Sequence, residues 1–256
     1  MKSLSKPLFA MEPLNSSLEK IGEARLILIG GRRGSMKLNL LYNLLQRHLD
    51  DVRHVPLFVT GTGREYLIKK FEALDLEMHQ NVAYAKNDRK PVFFIDEING
   101  WDVEKTCSQI RSLHHLFKVP FVIIDCLESF KNDDCYDFQD KMEDNIEKLR
   151  ELSDFLEIPV VILSDLDKKI DERKGHKKRP ALFDLYSKRL TSMLDFILLL
   201  YRPEYYQIDK WEDYSSTANQ LELNFEKTPL GIAFSFKFLV QFNQKQEVVF
   251  PEIHNG

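Results

Sequence analysis

Leu26-Ile27-Leu28-Ile29-Gly30-Gly31-Arg32-Arg33-Gly34-Ser35-Met36-Lys37-Leu38 is the stretch on which the reading of this chain turns. Four apolar residues closed by two glycines predict a short buried strand. Leu38, Leu40, Leu41, Leu44, Leu45 and Leu49 then recur at helical spacing, so the order is strand, glycine turn, helix. That order repeats downstream. Val55-Pro56-Leu57-Phe58-Val59-Thr60 predicts a strand with Pro56 at an edge or at the strand entrance. Tyr66, Leu67, Phe71 and Leu74 fit the helix after it. Val92-Phe93-Phe94-Ile95 predicts a strand ending in Asp96-Glu97, and Val103, Ile110, Leu113, Leu116 and Phe117 a helix. Phe121-Val122-Ile123-Ile124 leads to Asp125, Met142 to Leu156 is a patterned amphipathic helix, and Pro159-Val160-Val161-Ile162-Leu163 leads to Ser164-Asp165. Leu194 to Tyr201 and the alternating segments near 221–226, 232–240 and 247–250 predict strands, the last three antiparallel. So many βα units give an α/β fold: a mainly parallel central sheet flanked by helices, with a C-terminal antiparallel β-hairpin extension.

Composition narrows the function classes. The 256 residues hold 36 Lys and Arg against 40 Asp and Glu, a formal net charge of −4. That balance argues against coating nucleic acid by bulk charge, although a local basic patch is compatible with it. The longest apolar runs, such as Phe196 to Tyr201, fall far short of the roughly 20 residues of a membrane span. No signal-like apolar stretch follows Met1. Cys107, Cys126 and Cys135 show neither a disulfide framework nor paired metal spacing. A cytoplasmic protein with reduced thiols and no membrane partner is expected. Residues 1–24, polar and broken by Pro7 and Pro13, read as an N-terminal arm, and 25–256 as a single domain.

Open parallel sheets bind ligands at the carboxyl ends of their strands. Here those ends carry Gly30-Gly31, Thr60-Gly61, Asp96-Glu97, Asp125 and Ser164-Asp165, which suggests a crevice for phosphate and metal; turn-forming residues at strand ends are the plainer explanation. The loop Gly31-Arg32-Arg33-Gly34-Ser35-Met36-Lys37 has the position and length of a nucleotide phosphate loop, with Lys37 in register. Such loops cradle phosphate with backbone N–H groups, neutralise it with the lysine and hold Mg²⁺ through the next hydroxyl. Met36 stands where the second glycine belongs and Leu38 where the hydroxyl belongs.

The chain resembles the RecA-like ATPase domain of DnaB-type replicative helicases from about Leu26 to Phe250, as a degenerate member. Arg32-Arg33-Gly34-Ser35-Met36-Lys37-Leu38 is similar to that family's phosphate loop. Phe121-Val122-Ile123-Ile124-Asp125-Cys126-Leu127-Glu128 resembles its Walker B strand, and Ile95-Asp96-Glu97-Ile98 its Ile-Asp-Asp stretch. Pro159 to Lys168, Arg179-Pro180, Asp184-Leu185, Leu194 to Tyr206 and Lys227-Thr228-Pro229-Leu230-Gly231 follow in the family's order. The resemblance implies ATP and Mg²⁺ at Gly31 to Lys37 and Asp125, Asp125 being the weak metal candidate. It also marks five departures: Met36 and Leu38 in the loop, Thr62 where the family's catalytic Glu stands, Asp165 where it has Gln, and Asn224-Phe225-Glu226 where it has its Lys-x-Arg finger. Asp96 and Glu97 are the remaining candidates for a catalytic carboxylate, with capping or scaffold roles as the alternative.

The strongest local charge is Lys168-Lys169 followed by Arg173-Lys174-Gly175-His176-Lys177-Lys178-Arg179. In the resembled family the loops after this strand contact single-stranded DNA, which makes Lys168, Arg173, Lys174, Lys177, Lys178 and Arg179 DNA-binding candidates; a solvated loop balanced by Asp165, Asp167, Asp171 and Glu172 is the alternative. No aromatic lies within the run. Three functions remain open at this point: a non-motor protein binding DNA, a replication protein or helicase, or its own copies; a divergent but active DNA-dependent ATPase; and a RecA-fold assembly protein binding neither nucleotide nor DNA.

Overall fold

The structure, a computed structural model, describes residues 24–47, 54–72, 76–85, 91–131, 137–229, 236–242 and 248–249. The expected arm (Ala24 apart), Cys135 and the turn at Leu230-Gly231 lie outside them. The strands are β1 Leu26–Gly30, β2 Val55–Val59, β3 Leu76–His79, β4 Val82–Ala85, β5 Pro91–Glu97, β6 Val122–Asp125, β7 Val160–Ser164, β8 Phe196–Tyr201, β9 Gln220–Lys227, β10 Phe236–Phe242 and β11 Val248–Val249. The helices are α1 Lys37–Arg47, α2 Gly61–Glu72, α3 Val103–Phe117, α4 Phe138–Leu156 and α5 Lys188–Met193.

Among the described residues one 11-stranded sheet runs β11-β10-β9-β8-β1-β7-β6-β2-β5-β4-β3. From β8 to β5 the pairs are parallel; β9 to β11 on one side and β4 with β3 on the other are antiparallel. Strands β1, β2 and β7 are buried along their whole length, as expected of parallel strands covered on both faces. Side chains alternate between those faces. Ile27, Ile29, Val161 and Leu163 pack with Leu40, Leu41 and Leu45 of α1 and Leu67 and Phe71 of α2. Leu26, Leu28, Val160 and Ile162 pack with Ile110 of α3, Ile146 and Leu149 of α4, and Leu190 of α5.

Two details differ from the sequence reading. Strand β2 is interior, between β6 and β5, so Pro56 marks the strand entrance and not an edge. Its pairing with β6 covers Leu57 and Phe58, beyond the residue that has no N–H to give. The hairpin β3–β4 had no glycine to announce it. Its turn is Gln80-Asn81, and Gln80 adopts φ 54° without one.

The start of β1 is held by one carboxylate. Asp195 accepts from the backbone N–H groups of Arg25 and Leu26 at 2.8 and 2.9 Å. It also takes a two-pronged bond from Arg150 of α4, at 3.0 and 2.7 Å. These partners hold its carboxyl below the ordinary range against the cost of burial. Asp195→Ala strips the partner from Arg150 and two N–H groups, and is expected to cost about 2 kcal/mol in urea unfolding. A loss below about 0.5 kcal/mol, the scale of a neutral surface change, contradicts this assignment.

Candidate functional site

Strand β1 lies between β7 and β8, so the loop leaving it emerges beside the carboxyl end of β7. Gly31 N–H donates to Ser164 O at 3.1 Å, which starts the loop against that strand. Gly34 has φ +79°, and a Cβ there would lie 3.0 Å from the ring of Tyr205, so glycine is favoured on both counts. Arg202 reaches Gly34 O from the same side at 3.4 Å. Met36 has φ 70° and is only 7% exposed, so a large side chain occupies the backbone conformation that glycine adopts without strain. Ser35 is buried, and its hydroxyl has no hydrogen-bond partner among the described residues.

The loop closes on its own lysine. Lys37 Nζ donates to Gly31 O at 2.6 Å, to Asp165 Oδ1 at 2.8 Å and, more weakly, to Arg32 O at 3.4 Å. An ammonium has three donors, and all three are occupied here. Arg33 reaches the other Asp165 oxygen at 3.1 Å. Arg32 turns the other way, to both Asp171 oxygens at 2.7–3.2 Å and to Leu166 O at 2.9 Å. Lys37 and Arg33 hold the Asp165 carboxyl below its ordinary range even though burial opposes them.

Asp125, on the neighbouring β6, points to the α1–α2 side of the sheet. A Cβ on Gly63 of α2 would lie 2.7 Å from its Oδ2, so glycine at 63 is what lets that helix approach the carboxylate. Burial pushes the Asp125 carboxyl up to about 6, against the pull of Lys37 and with Asp165 and Glu128 adding repulsion. Glu128 is the group that the sequence reading passed over. It accepts from Cys126 Sγ at 2.6 Å and from the Ser164 hydroxyl, and burial raises its carboxyl as well. The only signal for it was a charged residue directly after Cys126-Leu127.

Four strand-end carboxylates do not share one crevice. Asp125 and Asp165 are brought together beside Lys37. Asp96, in register with Phe58 and Ile124, lies on the α3 face, opposite Asp125. It accepts from Asn81 at 3.0 Å. Glu97 is exposed and accepts from Asn99 at 2.6 Å. Strand β5 is two strand spacings from β6, about 10 Å, and four from β1, about 19 Å. Among the described residues no group of three His, Cys, Asp or Glu side chains has the arrangement to hold a metal ion. A Mg²⁺-bound nucleotide does not fit the donor set as it stands: the lysine is engaged, Leu38 has no oxygen for the ion, and Asp165 presents negative charge to the loop.

The basic segment after β7 is anchored rather than loose. It forms short 3-10 turns at Lys168–Glu172 and Gly175–Lys178. Arg173 pairs with the buried Asp184. Arg179 pairs with Glu222 at 2.7 Å and Glu212 at 2.8 Å, and lies 5.1 Å from the centre of the Tyr201 ring. His176 stacks on Trp211 with ring centres 5.8 Å apart. Lys168, Lys174 and Lys177 are exposed, and Lys178 Nζ lies 5.4 Å from the Tyr206 ring. Of the six candidates, two arginines are thus engaged in holding the fold, three lysines are exposed, and Lys178 is half-buried near Tyr206. In the stretch expected to match the finger, Asn224 is buried on β9 and Glu226, at the expected arginine position, is half-buried.

A family model described as "DnaB-like helicase C terminal domain" matches residues 10–246. The chain belongs to that family. It is 24% identical over 215 residues to the replicative DNA helicase DnaB of Helicobacter pylori, covering 76% of this chain and 43% of that protein. It is 33% identical over 116 residues to a probable plasmid replicative DNA helicase of Chlamydia psittaci, covering 44% of this chain and 25% of that one. The DnaB-like chain therefore spans less than half the length of the curated relatives it matches. Its fold is similar to a solved ATPase domain, with a TM-score of 0.69, 21% identity and coverage of 90% and 86% of the two chains. It is equally similar to a DnaB-like replicative helicase solved for its interactions with primase, with a TM-score of 0.70, 21% identity and coverage of 91% and 61%. The RecA-like fold expected from the sequence is thereby borne out. Among the described residues no helix of this DnaB-like domain is long and apolar enough to cross a membrane.

Asp125 gives the site a pH signature. Its folded carboxyl titrates near 6 against an ordinary 3.8, so the unfolded chain releases this proton first as pH rises. Stability therefore falls between about pH 4 and pH 6 on account of this group. Asp125→Asn removes that contribution, and its urea-unfolding stability is expected to decline less than wild type across the window. Parallel declines contradict the assignment.

Proposed function

We propose that this DnaB-like domain does not hydrolyse ATP and acts by binding single-stranded DNA through its backbone. The observation that carries the first half is the engagement of Lys37 by Asp165 and Gly31 O. An ammonium committed to a carboxylate inside the protein has lost the electrostatic reason to take up phosphate, because an incoming anion meets Asp165 first. Leu38 in place of a hydroxyl, Thr62 in place of the family's Glu and Glu226 at the finger position agree with it. An arginine finger works by offsetting transition-state charge, and a carboxylate there adds to that charge.

The second half rests on the lysines of the segment after β7, Lys168, Lys174 and Lys177 being exposed and Lys178 half-buried. Lysines at a surface release counterions when they meet a phosphate backbone, which gives affinity without sequence choice. The two arginines hold that segment in shape, so less ordering cost falls on binding. Membership of a replicative-helicase family is in keeping with a role beside DNA, and assembly with a helicase or with further copies of this chain is compatible with it.

ATP turnover is expected at background, with or without single-stranded DNA; turnover above background that Lys37→Ala abolishes overturns the non-motor reading. Binding to an oligothymidylate is expected to weaken steeply with salt. Replacing Lys168, Lys174, Lys177 and Lys178 by Gln is expected to reduce the log–log salt slope by about 3. An unchanged slope overturns the assignment of these lysines.

A further inference from the structure

We propose that Phe183 is a base-stacking platform for single-stranded nucleic acid set among the surface lysines; the inference rests on the proposed single-strand binding and names how that surface tells a strand with bases from a bare polyanion. The sequence holds no aromatic within residues 168–179, yet the fold brings one there. Phe183 sits in the short turn Leu182–Asp184 and is 66% exposed, while its neighbour Asp184 is buried.

Three contacts fix its place. Asp167 N–H donates to Asp184 O at 3.2 Å, which sets the turn beside the start of the basic segment, next to Lys168. The guanidinium of Arg173, held by Asp184, also reaches Lys177 O at 3.4 Å. The same guanidinium lies 4.8 Å from the centre of the Phe183 ring. So the turn that carries the ring adjoins the start of the basic segment, Arg173 links the ring to the stretch that holds the exposed Lys174 and Lys177, and the ring itself is held by a cation whose charge is already matched.

That arrangement has a chemical consequence. With Arg173 over the ring, Phe183 still keeps 66% of its surface exposed. A free aromatic face backed by a guanidinium accepts a planar base, and flanking ammonium groups accept the phosphates on either side of it. A duplex keeps its base faces covered and offers only the backbone. Burial elsewhere in the core would have served Phe183 equally well as a hydrophobe; an immobilised, exposed ring among lysines is what a stacking contact needs. Stacking is sequence-tolerant, so the ligand class is single-stranded DNA or RNA without a fixed motif.

The test is fluorescence anisotropy with a labelled oligothymidylate and an abasic strand of the same length and charge, on the whole chain. The base-bearing strand is expected to bind roughly 10-fold more tightly than the abasic one. Phe183→Ala is expected to erase that preference while leaving abasic binding and the melting temperature as they were, and Phe183→Trp to retain it. Equal affinity for both strands, unchanged by Phe183→Ala, overturns the stacking role and leaves backbone binding standing. Failure of both strands to bind at low salt overturns the stacking role together with the DNA-binding reading.

Discussion

A lysine drawn into a loop with little water around it has to be paired. Lys37, whose side chain is 11% exposed, solves that with Asp165 and two backbone carbonyls of its own loop. The solution binds the turn after β1 to the segment after β7, and other features of the region follow from it. Asp165 also takes Arg33, and Asp171 takes Arg32. Two of the carboxylates that stood ready to balance the basic segment are therefore spent on the phosphate loop. Closing the loop and leaving fewer carboxylates to balance the lysines of residues 168–178 are two results of one network.

Much of the fold was legible because parallel strands buried on both faces write themselves as short apolar runs, as Leu26 to Ile29 and Val160 to Leu163 do. The antiparallel edge at Leu76 to Ala85 was not, since Glu77, His79 and Gln80 carry no β-branched or glycine signal. In the site, the register of Lys37 and the strand-end positions of Asp125 and Asp165 could be read directly. Which face each strand end presents could not: a side chain moves to the other face with a shift of one residue, and that is what separates Asp96 from Asp125. Charge counting also misled about Arg173 and Arg179. Their partners Asp184, Glu212 and Glu222 lie up to 43 positions away in the chain, so a local run of positive charge looked more available than it is.

The solved structures that this chain resembles share its fold, and the strand order of this sheet sets the loop after β1 near Asp125. The charge at the end of β7 is what bears on the loop in this chain. A neutral amide there leaves the lysine free to meet phosphate; the Asp165 carboxylate meets the lysine itself. Met36 keeps the positive φ of the loop at a cost of about 1 kcal/mol, so the shape of a phosphate loop has outlasted the chemistry that the proposed reading takes to be lost.

The Lys37–Asp165 bond is measured most directly by a double-mutant cycle: Lys37→Met, Asp165→Asn and the double variant, each unfolded in urea alongside wild type. A coupling of about 2 kcal/mol is predicted for a largely buried, hydrogen-bonded pair. Additive effects, with a coupling near zero, would show that the loop stays closed for some other reason and contradict the central claim.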